Sequence, residues 1–164
     1  GRDFQDVIDD ARDLMSQGFR HIRMQVEVPG QATYGTESDL QTHETVDGPT
    51  APHNVFEPAD YARLAPKLFE HARNELGDEV ELLHDIHERV PAPLAIQLAR
   101  DLESFRLFFL EDALPPEDIN SFRRLRAASG IRCRLLCSSP GLDQFTRGSR
   151  MDGDGFHGSR FVGI

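Results

Sequence analysis

Between residues 80 and 128 the chain alternates apolar runs with helix-patterned stretches at short, regular spacing, and this rhythm limits the fold more than any other feature. VELLHDI at 80–86 reads as a strand, APLAIQLARDLES at 92–104 as a helix, RLFFLEDAL at 106–114 as a second strand and PEDINSFRRLRAA at 116–128 as a second helix. Pro91, Pro93 and Pro116 fall near helix starts, where proline is tolerated, and Gly130 marks a stop. The same alternation begins upstream. Phe4, Val7, Ile8, Ala11 and Leu14 recur at helical spacing within 3–17, FRHIRMQVEV at 19–28 reads as a strand, and 57–76 reads as a helix that Pro66 would bend or split. A strand is also expected at 131–137. Strand–helix–strand units of this length require parallel strands joined by right-handed crossovers. Near-continuous apolar runs are what strands covered on both faces need. The class is therefore α/β, and two architectures satisfy it: an open doubly wound sheet, or part of a (β/α)8 barrel. A complete barrel takes about 250 residues, and this chain has 164.

Other features narrow the function. With 38% hydrophobic and 28% charged residues the chain can build a core. A net charge of −10 argues against nucleic acid, which is met by a basic footprint, and against an anionic membrane surface. No apolar stretch approaches the roughly 20 residues of a membrane span. The acidic, amphipathic start is unlike a secretory signal. Cys133 and Cys137 are the only cysteines, too few for a disulfide framework, so a reducing, cytoplasmic setting is expected. The chain begins on Gly1 rather than Met and reads as a piece of a longer one. Residues 30–56 have no period and read as a long loop, a kind that is usually functional or disordered. The stretch from Ile131 to Ile164 differs again. It holds both cysteines, no Ala and no Glu, and its Arg outnumber its Asp, so it is basic at the end of a chain that is acidic overall. Residues 132–164 are expected to form a divergent, poorly ordered tail after a domain of residues 1–131.

The chemistry lies at the strand ends. In a strand, alternate side chains share a face, so Asp85 and His87 would point one way and His84 and Ile86 the other. Parallel α/β folds place their sites at the C-terminal ends of strands, and Glu111 ends the next strand. Neighbouring strands lie ~4.8 Å apart. Asp85 and Glu111 would therefore repel and raise each other's pKa unless a cation stood between them. A hard divalent ion such as Mg2+, which prefers oxygen ligands, resolves that conflict. Blander readings compete. Asp85 could cap a helix or pair with Arg89, Glu111 and Asp112 could open a solvated loop, and His84 suits a structural, hydrogen-bonded role. Zinc fits worse, because the two histidines of HDIHE straddle opposite faces.

The linked motifs HDIHER, FFLEDAL and VPGQATYG, together with NVFEPADYARLAPKLFEHARNELG, resemble the barrel of the mannonate dehydratase subgroup of the enolase superfamily over roughly residues 1–131. That group is mandelate racemase/muconate lactonizing enzyme-like and includes starvation-sensing-protein-like members. The resemblance favours a partial (β/α)8 barrel of about four βα units. It implies Mg2+-dependent dehydration of a sugar acid, D-mannonate to 2-keto-3-deoxy-D-gluconate, and a homo-oligomer in the full-length family. It also implies site residues. Asp85 and Glu111 match two metal ligands at the separation the family shows; His87 matches the catalytic histidine of an Asp-x-His motif; Tyr34 matches a catalytic tyrosine and Arg23 its arginine partner. Without the resemblance, Tyr34 and Arg23 would read as a loop tyrosine and a strand-end salt bridge.

The chain also departs from the pattern. The stretch between Arg23 and Tyr34 is one residue short. The third metal ligand belongs in a Gly-Glu pair one strand on, yet the step from Asp85 to Glu111, repeated past Glu111, lands on Cys137 within IRCRLLCSSP. After Ile131 the pattern is lost, as though by a shifted reading frame or an alternative terminus. Two carboxylates hold Mg2+ less well than three, and half a barrel leaves strand edges unpaired, so little or no dehydratase activity is expected of this chain alone. Alternatives are a non-catalytic remnant with a regulatory or oligomerisation role, and D-gluconate as substrate.

Overall fold

The computed structural model describes residues 1–28, 56–134 and 162–163. Helix α1 (Phe4–Ser16) leads to strand β1 (His21–Arg23), and helix α2 (Pro58–Leu76) to β2 (Glu81–Asp85). Helix α3 (Ala92–Glu103) then leads to β3 (Phe109–Glu111), α4 (Ile119–Ala128) to β4 (Cys133–Arg134), and β5 is Val162–Gly163. All pairings are parallel, in the order β4-β3-β2-β1-β5. Strands β1 to β4 lie side by side in chain order, each joined to the next through a helix. That is barrel winding, since an open doubly wound sheet reverses its order at a switch point.

Local chemistry sets the helix ends. Asp3 caps α1 by accepting from the Asp6 amide at 2.8 Å, and Asp118 caps α4 by accepting from Ser121 at 3.0 Å. Helix α3 starts with proline in its first turn, and Gly77 ends α2 at φ 68, a conformation that disfavours residues bearing a Cβ. Pro66 does not split α2, which runs unbroken over 19 residues. Leu82 and Leu110 of the strands form one buried core with Val7, Ile8, Leu68, Phe69, Leu98, Leu102 and Leu125 of the helices.

The strands are shorter than their apolar runs. Ladder pairing covers residues 21–23 of β1 and 109–111 of β3, with one further hydrogen bond each from the flanking Met24 amide to the Leu83 carbonyl and from the Phe108 amide to the Leu82 carbonyl. Residues 30–55 of the expected long loop, Tyr34 among them, and most of the expected tail, with Cys137, lie outside the described residues. Two short pairings fall within 132–164: β4 beside β3, and Val162–Gly163 beside β1. Among the described residues no helix is long and apolar enough to cross a membrane.

Candidate metal centre

Parallel pairing of β2 with β3 puts Asp85 opposite Glu111 in register, both at the C-terminal end of the sheet. Their side chains are almost fully buried, with 6% and 4% exposed. They are not a solvated loop start. Arg23, the last residue of β1, reaches across from the neighbouring strand. Its Nη1 lies 3.4 Å from Asp85 Oδ2 and 3.5 Å from Glu111 Oε2. One guanidinium nitrogen thus bridges both acids, so Arg23 does form the strand-end salt bridge. The cation that two facing carboxylates demand is supplied here by the chain itself.

That neutralisation is partial. Asp85 Oδ1 and Glu111 Oε1 are buried and have no hydrogen-bond partner. A buried acceptor left unpaired costs roughly 1–3 kcal/mol, more when charged. Burial, and then the neighbouring Asp85, hold the Glu111 carboxyl above its usual pKa despite Arg23. Unpartnered, buried carboxylate oxygens are donors suited to a small, hard divalent cation.

His87 is brought to the same place by a route the alternation argument did not foresee. Strand β2 ends at Asp85, and His87 and Glu88 turn into the left-handed region at φ 57 and 58. His87 Nδ1 nevertheless lies 3.4 Å from Asp85 Oδ2. The turn is tied to the next strand end, where the Ile86 amide donates to the Glu111 carbonyl and the Glu88 amide to that of Asp112. Asp112 is the residue sequence reasoning missed. Alternation would turn it away from Glu111, but φ 41 breaks the strand there. Asp85, His87 and Asp112 thereby present ligand atoms within 4.8 Å of one another.

His84 is a structural histidine. It is buried, with Nδ1 2.9 Å from the Met24 carbonyl and Nε2 2.7 Å from the Tyr61 hydroxyl, and its ring stacks on Tyr61. Burial lowers its pKa below the ordinary histidine value. Gln25 Nε2 donates to the Asp85 carbonyl at 3.0 Å, fixing the strand end from the β1 side. A cavity of about 10 Å3 beside His84 and Asp85 has room for about one water. On β4 the residue in register with Glu111 is Arg134, whose guanidinium lies over the Phe109 ring at 5.4 Å. The next described strand thus offers a cation where a third acid would complete a ligand set.

Comparisons with known proteins identify the family. The family described as enolase C-terminal domain-like matches residues 6–137. A D-mannonate dehydratase of Caulobacter sp. (strain K31) is 45% identical over 127 residues, covering 77% of this chain and 32% of the relative. A D-galactonate dehydratase family member of Catenulispora acidiphila is 39% identical over 132 residues, 80% of this chain and 30% of that protein. An enolase from Pantoea ananatis, crystallised with D-gluconate and Mg bound, superposes with a TM-score of 0.68 at 37% identity, over 82% of this chain and 35% of that one. The chain spans about a third of the length of these relatives. On the match over residues 6–137, the chain belongs to the enolase C-terminal domain-like family.

Proposed function

We propose that the chain carries the first part of the active site of a Mg2+-dependent sugar-acid dehydratase, converting an acid such as D-mannonate to 2-keto-3-deoxy-D-gluconate. The observation that carries the reading is the Asp85–Glu111 pair, in register on adjacent parallel strands, with one buried, unpartnered oxygen on each. Asp85 and Glu111 would hold the ion, with Asp112 near Asp85 and His87. Bound there, Mg2+ would offset the negative charge that develops on the substrate carboxylate as its α-proton leaves.

The chain's own residues account for the protons. The proton next to a carboxylate is weakly acidic and needs a positioned base. Tyr34 takes that role by family resemblance, and a positive Arg23 nearby would favour its phenolate. His87, 41% exposed and beside Asp85, can meet a substrate at the strand tips and deliver a proton to the departing 3-hydroxyl. The hydroxyl leaves as water, and the enol formed tautomerises to the 2-keto acid.

A second substrate reading, D-gluconate, is favoured by the ligand of the Pantoea ananatis enolase. Titration of the chain with each sugar acid, with and without Mg2+, tests the function and separates the two. Mg2+-dependent binding that is lost in Asp85→Ala supports the reading, and the tighter acid names the substrate. Binding indifferent to both Mg2+ and Asp85 would overturn it, in favour of a non-catalytic, regulatory or oligomerisation role.

A further inference from the structure

We propose that Arg23 is the resident counter-cation of the Asp85–Glu111 pair, so that a divalent ion must displace its guanidinium in order to bind. This rests on the reading that these two acids take such an ion. Three observations lead to it. First, one nitrogen, Nη1, serves both carboxylates, so the guanidinium stands where a cation shared by Asp85 and Glu111 would stand. Second, its grip is loose. Contacts of 3.4 and 3.5 Å are long beside the ~2.8 Å of a strong charge-assisted bond, and neither acid is held bidentately. With 29% of its side chain exposed, Arg23 also has a path to water.

Third, a divalent ion shared by Asp85 and Glu111 and the Arg23 guanidinium would compete for one position, and two positive centres within a few ångströms of each other repel. Exchange is therefore favoured over coexistence. The device keeps two buried acids compensated while no metal is bound. It also releases a positive side chain at the strand tips as the metal arrives, on the face where an anionic sugar acid must approach.

The test is Mn2+ binding, followed by calorimetry and by electron paramagnetic resonance, for the unaltered chain, Arg23→Met and Asp85→Asn. Competition predicts that Arg23→Met binds Mn2+ about tenfold or more tightly than the unaltered chain, while Asp85→Asn loses binding. Arg23→Met leaves the two acids uncompensated, so a second readout comes from the unaltered chain. The Arg23 Nε–Hε resonance should move, and its exchange with water should quicken, as Mg2+ is added. Equal or weaker Mn2+ affinity in Arg23→Met, or an Arg23 resonance unmoved at saturating Mg2+, overturns the displacement and leaves the metal site standing. No Mn2+ binding to any of the three chains overturns both.

Discussion

Replacing Glu111 with glutamine should stabilise the metal-free fold while removing its response to Mg2+. The magnitude follows from three opposing effects. At an effective dielectric constant of 20, a unit charge 3.5 Å from the Arg23 guanidinium gains about 4.7 kcal/mol. Repulsion by Asp85 across an interstrand spacing of ~4.8 Å returns about 3.5 kcal/mol. Coulomb interactions alone would therefore favour the native acid by about 1 kcal/mol. Burial decides the sign, since taking a carboxylate out of water still costs several kcal/mol in a relaxed protein. The raised pKa of Glu111 says the same, because burial and Asp85 together outweigh Arg23. The substituted amide also brings an N–H donor to the unpartnered Oδ1 of Asp85. The expected gain for E111Q is about 1–2 kcal/mol, within the range seen when buried ions are replaced by neutral groups. Each kcal/mol corresponds to about 2–4 °C in a chain of this size. Urea and thermal melts in EDTA at pH 7.5 measure it, and repeats in Mg2+ should stabilise the unaltered chain alone. The pH dependence has a definite sign. An acid whose pKa is raised by folding contributes stability that is present below its unfolded value and lost as pH rises through its folded value, so the advantage of E111Q should shrink as pH falls toward 4.5. A variant less stable than the parent in EDTA, or one that Mg2+ still stabilises, would contradict this balance of charge and burial.

Further predictions concern the scaffold. His84→Gln should flatten the loss of stability between pH 7.5 and 5.5. The parent's buried imidazole refuses a proton that the unfolded chain accepts below about 6.5, worth up to ~1.4 kcal/mol per pH unit; equal slopes in urea melts would contradict this. Leu102→Ala, at a fully buried position of α3, should cost about 2–5 kcal/mol, while Ile119→Ser, at an exposed position of α4, should stay within about 0.5 kcal/mol, both read from denaturant midpoints. Asp118→Ala removes the cap of α4 and should cost about 1 kcal/mol in the same assay. Purified chain mixed with D-mannonate and Mg2+ should form little or no 2-keto acid, as followed by a semicarbazide assay; robust turnover would contradict the expectation drawn from the missing third acid.

The fold was legible where pattern and physics coincide. Apolar runs separated by proline-led helical stretches imply parallel strands, and the chain folds so. Their tips carry Asp85 and Glu111 together because both acids end their runs at matching register. His84 was legible as structural because it lies within a buried run. Other features were hidden from a one-dimensional reading. Asp112 joins Asp85 and His87 only because its backbone takes a positive φ, which strand alternation cannot express. Arg23 was legible as a strand-end salt bridge, but not which acids it would meet: among the described residues it contacts Asp85 and Glu111, a long-range meeting set by the β1–β2–β3 pairing, while Tyr34 lies outside those residues. Strand lengths were overread because apolar character marks burial, and pairing needs a partner besides.

The most direct measurement is a crystal structure of the chain grown with Mn2+, using anomalous scattering to locate the ion. One strong peak is expected at the ends of β2 and β3, about 2.0–2.2 Å from carboxylate oxygens of Asp85 and Glu111. A site empty at saturating Mn2+, with the two acids still bridged by Arg23, would contradict it.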